Sequence, residues 1–373
     1  CKISISPLAF KNTHHFFFFF VSVSQIFKKL GQFVFFLALG VGLMYWIYIR
    51  QESTYKAYCA EHGIPPEQCK LSEKLWSDLL SINPVYILLI FIAFFLSNFF
   101  RSLRWRMLLR SVGYEIKEIN SIGPILVGYL ANLGLPRSGE FIRAALLSRY
   151  EKVPLTVSVG TVVLDRLIDL MSMGMIVTIT VFIEHDTFLR LYNEQLSQIS
   201  LVEKLILPGI AVLAILVLFF TRDRWRDLPA VANIKKRLRG FLDGVLSIRN
   251  IEHKGRFLLY TLMIWVWFFV MMYLALRSYG PTSSLPITSA LVIYVFGSLG
   301  MLVPTPGGMG SYHFLVILAL SYYGIHEVDA FSFANISFFS ANFANNLTLG
   351  LGAMLLMYLF NRKSGQIQSN VNE

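Results

Sequence analysis

The chain has 373 residues, of which 55% are hydrophobic and 15% charged, and its formal net charge is +11. A soluble domain usually carries about a quarter charged residues, so this composition excludes an ordinary soluble protein. The apolar residues form long blocks, which is typical of membrane-spanning helices. We attribute the positive charge to cytoplasmic loops, which collect lysine and arginine, and not to nucleic-acid binding.

The N-terminal third contains two predicted membrane spans. We treat residues 1–27 as a poorly defined extension and begin the membrane domain at residue 28. The first span is 30–49, a polar loop covers 50–82, and the second span is 83–100. The arginine-rich stretch 101–110 follows, and the positive-inside rule places it in the cytoplasm and the polar loop outside.

The middle of the chain contains three further predicted spans. Span 155–183 ends in a loop, 184–203, with four acids and one arginine, which we place outside. Span 204–220 returns to the cytoplasm, where loop 221–256 carries ten Lys/Arg against four Asp/Glu. This basic loop is predicted to rest on anionic headgroups. Span 257–277 then crosses outward.

The last span, 331–360, ends at a basic flank, so both termini are predicted to be cytoplasmic, and residues 364–373 are read as a disordered tail. Two apolar regions, 122–150 and 287–323, are interrupted by breakers, and their pieces are short of the roughly 20 residues that a span needs. The segments before and after each region are predicted to lie on the same side of the membrane. Each region is therefore predicted to be a hairpin that returns to its starting side. The fold class is therefore an all-α polytopic membrane protein with about six spans and two re-entrant hairpins.

The two hairpins resemble each other in sequence. Each has an apolar run, a proline, a glycine-containing turn and a resumed helix, in 133–147 and in 301–318. Because they enter from opposite faces, they fit an inverted repeat with broken helices, a pattern found in many transporters.

The first hairpin turn carries charges beside its breakers Pro136 and Gly139. Arg137, Glu140 and Arg143 recur every three residues and share a face if they are helical. The two arginines suit a lipid phosphate, because guanidinium donates two parallel hydrogen bonds, and Glu140 would orient them. The alternative is an ion-pair set whose arginines reach the cytoplasmic surface.

The sequence VVLDRLIDLM (162–171) places Asp165, Arg166 and Asp169 inside an apolar span. Their spacing puts them on one helical face, where they partly neutralise one another. Charges within a span indicate a functional site by default. A structural bridge to Arg137 or Arg143 is the alternative, and both interpretations can hold together.

The second hairpin turn is rich in glycine and proline. Its glycines free backbone N–H groups that can cradle an anion, although close helix packing also explains them. The histidine is a candidate polar ligand, with a structural role as the favoured interpretation. The candidate residues are Pro304, Pro306, Gly307, Gly308, Gly310 and His313.

Cofactor and metal sites are not expected. Neither a Cys/His metal spacing nor a GxxxxGK[ST] phosphate loop occurs in the sequence. Cys59 and Cys69 share the polar loop, and they are predicted to form a disulfide, because in a bacterial cell this loop would face an oxidising compartment.

Four motifs in order resemble the family of the lysylphosphatidylglycerol synthase transmembrane region, also called flippase-like. They are RSLRWRMLL (101–109), the N-x-x-x-P-x-x-G-E-x-x-R pattern of 132–143, DRLID (165–169) and PTPGGMG (304–310). Family members often have an acid where this chain has His313. The resemblance implies a cell-membrane protein that moves a lipid or lipid-linked headgroup between leaflets.

Three functions are therefore weighed. The first is lipid translocation, with a phospholipid or lipid-linked substrate held by the charged motifs. The second is a membrane-embedded transferase acting on a lipid or polyprenyl-linked substrate. The third is a non-catalytic scaffold for a separately encoded lipid-biosynthesis enzyme. An enzymatic role is the less expected one, because no soluble aminoacyl-lipid synthase domain is recognised in the sequence.

Overall fold

The computed structural model describes residues 12–134, 137–191, 193, 251–303 and 305–371. The described residues are helical apart from turns and short connections, as predicted. In chain order the helices are α1 (Asn12–Glu61), α2 (Leu71–Leu80), α3 (Pro84–Ser111), α4 (Ile119–Gly134), α5 (Gly139–Glu151), α6 (Leu155–Ile183), α7 (His185–Leu191), α8 (Lys254–Ser278), α9 (Ile287–Gly300), α10 (Ser311–Ser321), α11 (Glu327–Ser337) and α12 (Asn345–Val371).

Four helical stretches within the described ranges are long and apolar enough to cross a membrane. They are α3, α6, α8 and the continuous stretch Glu327–Arg362. Of the other two predicted spans, 30–49 lies within α1, and 204–220 lies outside the described residues together with most of loop 221–256.

The helix that contains the predicted second span, 83–100, extends beyond it. Helix α3 continues to Ser111, and Arg101 and Arg104 within it are 2% and 0% exposed. The hydropathy signal ends where these arginines begin, but the helix continues because their charges are paired inside the protein instead of facing water.

The last predicted span is divided by a π-helical segment, Phe338–Ala344, between α11 and α12. Such segments shift the register of a helix and often occur at functional sites. The side chain of Asn342 projects from this segment and donates to the carbonyl oxygen of Gly307 at 2.7 Å. The interrupted helix therefore supports the turn between α9 and α10.

Polar contacts define one end of the bundle, which we call the Asn120 end. The Asn120 side chain at the start of α4 donates to Glu151 Oε1 at the end of α5, at 2.6 Å. It also exchanges hydrogen bonds with Asn361 of α12, at 3.0 and 2.9 Å. A cavity of about 340 Å³ lies between the end of α3 and the start of α8. Helices α4 and α5 thus begin and end at the same end of the bundle.

A second set of contacts defines the opposite end, the Tyr279 end. The hydroxyl of Tyr279, after α8, donates to Asp78 Oδ2 of α2 at 3.0 Å and to Asp329 of α11 at 3.3 Å. Lys74 pairs with both aspartates at 2.9 Å. Burial acts to lower the pKa of Lys74, but the bonds to Asp329 and Asp78 outweigh it and raise that pKa.

The helix pair α9–α10 belongs to the Tyr279 end. Thr282, just before α9, donates to the carbonyls of Leu276 and Tyr279 at 2.8 and 3.2 Å. Tyr323, just after α10, donates to Glu184 at the end of α6 at 3.1 Å. The two helix pairs therefore start from opposite ends of the bundle.

Cys59 and Cys69 are joined by a disulfide between the end of α1 and the start of α2, with Cα atoms 6.2 Å apart. Both cysteines are buried. If this loop faces outside, a membrane-impermeant maleimide should fail to label either cysteine in intact cells until a reductant is added. Labelling without reductant would show that the thiols are free. Labelling only after permeabilisation would show that the loop faces the cytoplasm, opposite to the predicted orientation.

Candidate functional site

A charged cluster lies midway along the spanning helix α6. Asp169 is the fifteenth of its 29 residues, and Asp165 lies one turn before it. Asp165 is fully buried and Asp169 is 8% exposed. Carboxylates at this depth require strong partners, because removing a charge from water is costly.

Two arginines of α3 supply the main partners. Arg104 donates from Nε and one terminal nitrogen to Asp165 Oδ1, at 3.0 and 2.6 Å. The same terminal nitrogen reaches Asp169 Oδ1 at 2.7 Å. Arg101 bonds to the other oxygen of Asp169. These contacts join α3 to α6 in the interior of the bundle.

Two further arginines complete the cluster. Arg143 of α5 donates to Asp165 Oδ2 at 2.9 Å, and its guanidinium carbon lies 3.9 Å from the ring centroid of Trp105. Arg166 approaches Asp169 at 3.5 Å, with its side chain 37% exposed. The bridge from Arg143 that the sequence offered as an alternative is present, and Arg137 has no part in it.

Arg137 lies at the tip of the α4–α5 pair and not on a helix. Helix α5 begins at Gly139, and Arg137 has a φ of 60°, so its predicted helical face with Glu140 and Arg143 is wrong. Its guanidinium donates to the carbonyl oxygen of Leu302, just after α9, at 2.8 Å. Arg137 therefore joins the tips of the two helix pairs.

The tips also meet through the glycine turn. Gly307, Gly308 and Gly310 have φ values of 60°, 80° and 83°, which a residue with a side chain rarely adopts. A Cβ placed on Gly307 would lie 3.3 Å from Leu133 of α4. These glycines allow the α9–α10 connection to turn tightly against the first tip.

The remaining candidate residues that the structure describes form no ion pair with the charged cluster. His313 is 1% exposed and packs 4.8 Å from the Phe338 ring, centroid to centroid, as a core histidine does. In the part of the chain that the structure describes, Glu140 forms no ion pair, and its Oε2 has no hydrogen-bond partner. Pro136 and Pro304 lie outside the described residues, and Pro306 begins a short 3₁₀ turn.

Gly139 has a packing role at the crossing of α4 and α5. A Cβ added to it would lie 2.2 Å from the carbonyl oxygen of Gly128, and the Asn132 side chain accepts its backbone N–H at 2.8 Å. We expect Gly139→Ala to lower the free energy of unfolding by about 2 kcal/mol, since backbone must move to admit the methyl group.

The matched control for this substitution is Gly174→Ala on α6, where nothing lies within 4 Å of the added atom. Thermal unfolding in detergent compares the two variants. Equal midpoint temperatures of unfolding for the two variants would show that α4 and α5 are not closely packed at Gly139.

Arg101 and Arg104 were not predicted as residues of the site. Both were assigned to a basic flank because they follow an apolar block. Their spacing of three residues, matched to aspartates four apart on another span, was the available signal. This spacing predicts a contact only once α3 and α6 are known to be neighbours.

Comparison with known proteins finds relatives among membrane proteins. Residues 71–361 match the family model described as the lysylphosphatidylglycerol synthase TM region. A UPF0104 membrane protein of Methanothermobacter thermautotrophicus is 23% identical over 270 residues, which cover 66% of this chain and 78% of that protein. A UPF0104 membrane protein of Methanocaldococcus jannaschii is 32% identical over 100 residues, 26% of this chain and 30% of that protein.

No solved structure matches the chain significantly. The family model covers well over half of the sequence, including α2 to α11 and the charged cluster. The chain therefore belongs to the family of the lysylphosphatidylglycerol synthase transmembrane region.

Proposed function

We propose that this membrane protein moves a lipid or lipid-linked headgroup from one leaflet to the other, along a path between the two helix pairs. The observation that carries the proposal is the contact between their tips, where Arg137 donates to the Leu302 carbonyl. One pair starts from the Asn120 end and the other from the Tyr279 end. Interrupted helices that meet from opposite sides are the usual substrate site of transporters with inverted repeats.

Helix length supports a re-entrant disposition of both pairs. Helices α4 and α5 have 16 and 13 residues, and α9 and α10 have 14 and 11. At 1.5 Å per residue these helices are about 16–24 Å long, against the ~30 Å of the hydrocarbon core. Each pair thus turns back before it crosses, and irregular backbone at that depth is tolerated where it lines a cavity.

The charge distribution supports one orientation. The basic loop 221–256 adjoins the start of α8, which lies at the Asn120 end. We assign this end to the cytoplasmic side of the cell membrane. Both termini then lie inside, and the disulfide lies outside. The loop would contact anionic headgroups, and a separately encoded biosynthetic enzyme would supply the substrate at this face.

Reconstitution into phosphatidylcholine vesicles tests the proposal. Fluorescent phosphatidylglycerol carrying a nitrobenzoxadiazole group is placed in both leaflets, and dithionite is added outside. Protein-free vesicles should lose about half of the signal, and vesicles with the protein should lose nearly all of it. Retention of half of the signal with folded protein would contradict translocation of this lipid, and conversion to a new lipid species would favour the transferase alternative.

A further inference from the structure

The charged cluster has an excess of positive charge. Four arginines surround two aspartates: Arg101, Arg104, Arg143 and Arg166 against Asp165 and Asp169. Four minus two leaves two positive charges uncompensated within these contacts. We propose that the cluster binds the phosphate group of a lipid substrate, which deepens the proposed function by naming the chemical class of the headgroup.

The free donors of the arginines support an anion. Among the described residues, five buried guanidinium nitrogens have no hydrogen-bond partner: Arg101 Nε, one terminal nitrogen of Arg104, Nε and one terminal nitrogen of Arg143, and Arg166 Nε. A cluster that served only to join helices would be expected to satisfy its buried donors, because each unmet donor is destabilising. Phosphate oxygens are the acceptors that suit several guanidinium groups at once.

The position of the cluster suits a headgroup in transit. Arg101, Arg104 and Asp169 lie within the long spans α3 and α6, about 10–20 Å from the nearer helix end. Arg101, Arg104 and Arg143 are at most 3% exposed. The side chain of Arg166 is 37% exposed, so a ligand reaches the cluster from its side of α6. An anion there would offset charge that the hydrocarbon core cannot screen.

A cationic headgroup is the competing ligand class, with the aspartates as its partners. The carboxylate oxygens are already occupied, since both oxygens of Asp165 and both of Asp169 accept from arginines. Glu140, one turn before Arg143, has no ion-pair partner in the described ranges and so adds no compensation within 4.0 Å. The balance therefore favours an anion.

The binding experiment uses the full-length protein in neutral detergent, with isothermal titration of three probes. They are dihexanoyl phosphatidylglycerol, dihexanoylglycerol without phosphate, and inorganic phosphate. We expect the phosphatidylglycerol to bind and the dihexanoylglycerol not to bind. Competition by inorganic phosphate at similar concentration would identify the free anion as sufficient, and its failure to compete would identify a lipid headgroup. Equal binding of both lipids would overturn the proposal.

Variants test the assignment to the cluster. Arg166→Gln, on the accessible side, should weaken phosphatidylglycerol binding about tenfold or more, whereas Arg149→Gln on an exposed face of α5 should leave it unchanged. Asp169→Asn should strengthen binding, because it removes a negative charge from the site. Unchanged binding in Arg166→Gln, or weaker binding in a folded Asp169→Asn protein, would overturn the phosphate assignment.

The two proposals fail in different ways. If the protein binds phosphatidylglycerol through Arg166 but does not move the fluorescent lipid, the phosphate site is supported and the translocation proposal fails. If Arg166→Gln moves the fluorescent lipid as well as the unchanged protein does, and binding does not depend on phosphate, the translocation proposal is supported and the phosphate site fails.

Discussion

Replacing Asp165 with alanine is expected to destabilise the protein by about 3–5 kcal/mol, the range for breaking a buried ion pair from one side. Asp165 is fully buried and accepts hydrogen bonds from Arg104 and Arg143. The substitution leaves four guanidinium groups, three of them buried, with Asp169 as the one remaining carboxylate of the cluster. Chemical unfolding in mixed micelles measures the loss.

Asp186→Ala is the matched control, because the Asp186 side chain on α7 is 94% exposed. It should change stability by less than about 0.5 kcal/mol. Adding Arg104→Met to Asp165→Ala should recover part of the loss, since a buried charge is then removed with its partner. A loss below about 1 kcal/mol for Asp165→Ala would show that the cluster is hydrated and not buried.

Arg137→Ala is expected to reduce lipid translocation about tenfold and to lower stability by no more than the one hydrogen bond that it removes. Its guanidinium is the contact that joins the two tips, and a hydrogen bond from a charged group contributes about 1.5–3 kcal/mol. Because Arg137 itself is exposed, little packing is lost. The vesicle assay gives the rate, and Arg149→Ala is the control for loss of an arginine.

Arg137→Lys separates two roles of this residue. If the planar guanidinium spans the tips or grips a phosphate, lysine should impair translocation nearly as much as alanine. Full activity with lysine would instead show that any positive charge near the membrane surface suffices.

The sequence predicted the helical class and the interrupted pairs because these depend on local signals. Pro136 and Gly139, and the glycines of 304–310, mark the breaks directly, and short apolar runs mark the helices. The extent of α3 was not predicted, since Arg101 and Arg104 resemble a solvated flank until a partner helix is known. The π-helical segment has no sequence signal that we recognise.

The candidate site was predicted in part for the same reason. Asp165 and Asp169 stand out because charges in a span are rare, and this is a local property. Their principal partners lie 61 and 68 residues away in sequence, which no spacing rule connects. Arg137 was assigned to a helix by its three-residue interval to Glu140, but the turn that precedes Gly139 ends that periodicity.

The central claim is that the helix pairs enter from opposite sides of the membrane and meet at their tips. Substituted-cysteine labelling tests it most directly, in a Cys1→Ser background that retains the bonded Cys59 and Cys69. The labelled positions are exposed residues beside each pair: Lys117 and Lys152, and Ser284 and Ser321.

Cysteines at Lys117 and Lys152 should react with an impermeant maleimide only in inverted vesicles, and cysteines at Ser284 and Ser321 only in intact cells. Each pair of positions would then share one side, opposite to that of the other pair. Labelling of Lys117 and Lys152 from opposite sides would show that α4 and α5 together make one crossing of the membrane. That result would contradict the meeting of two re-entrant pairs on which the translocation path depends.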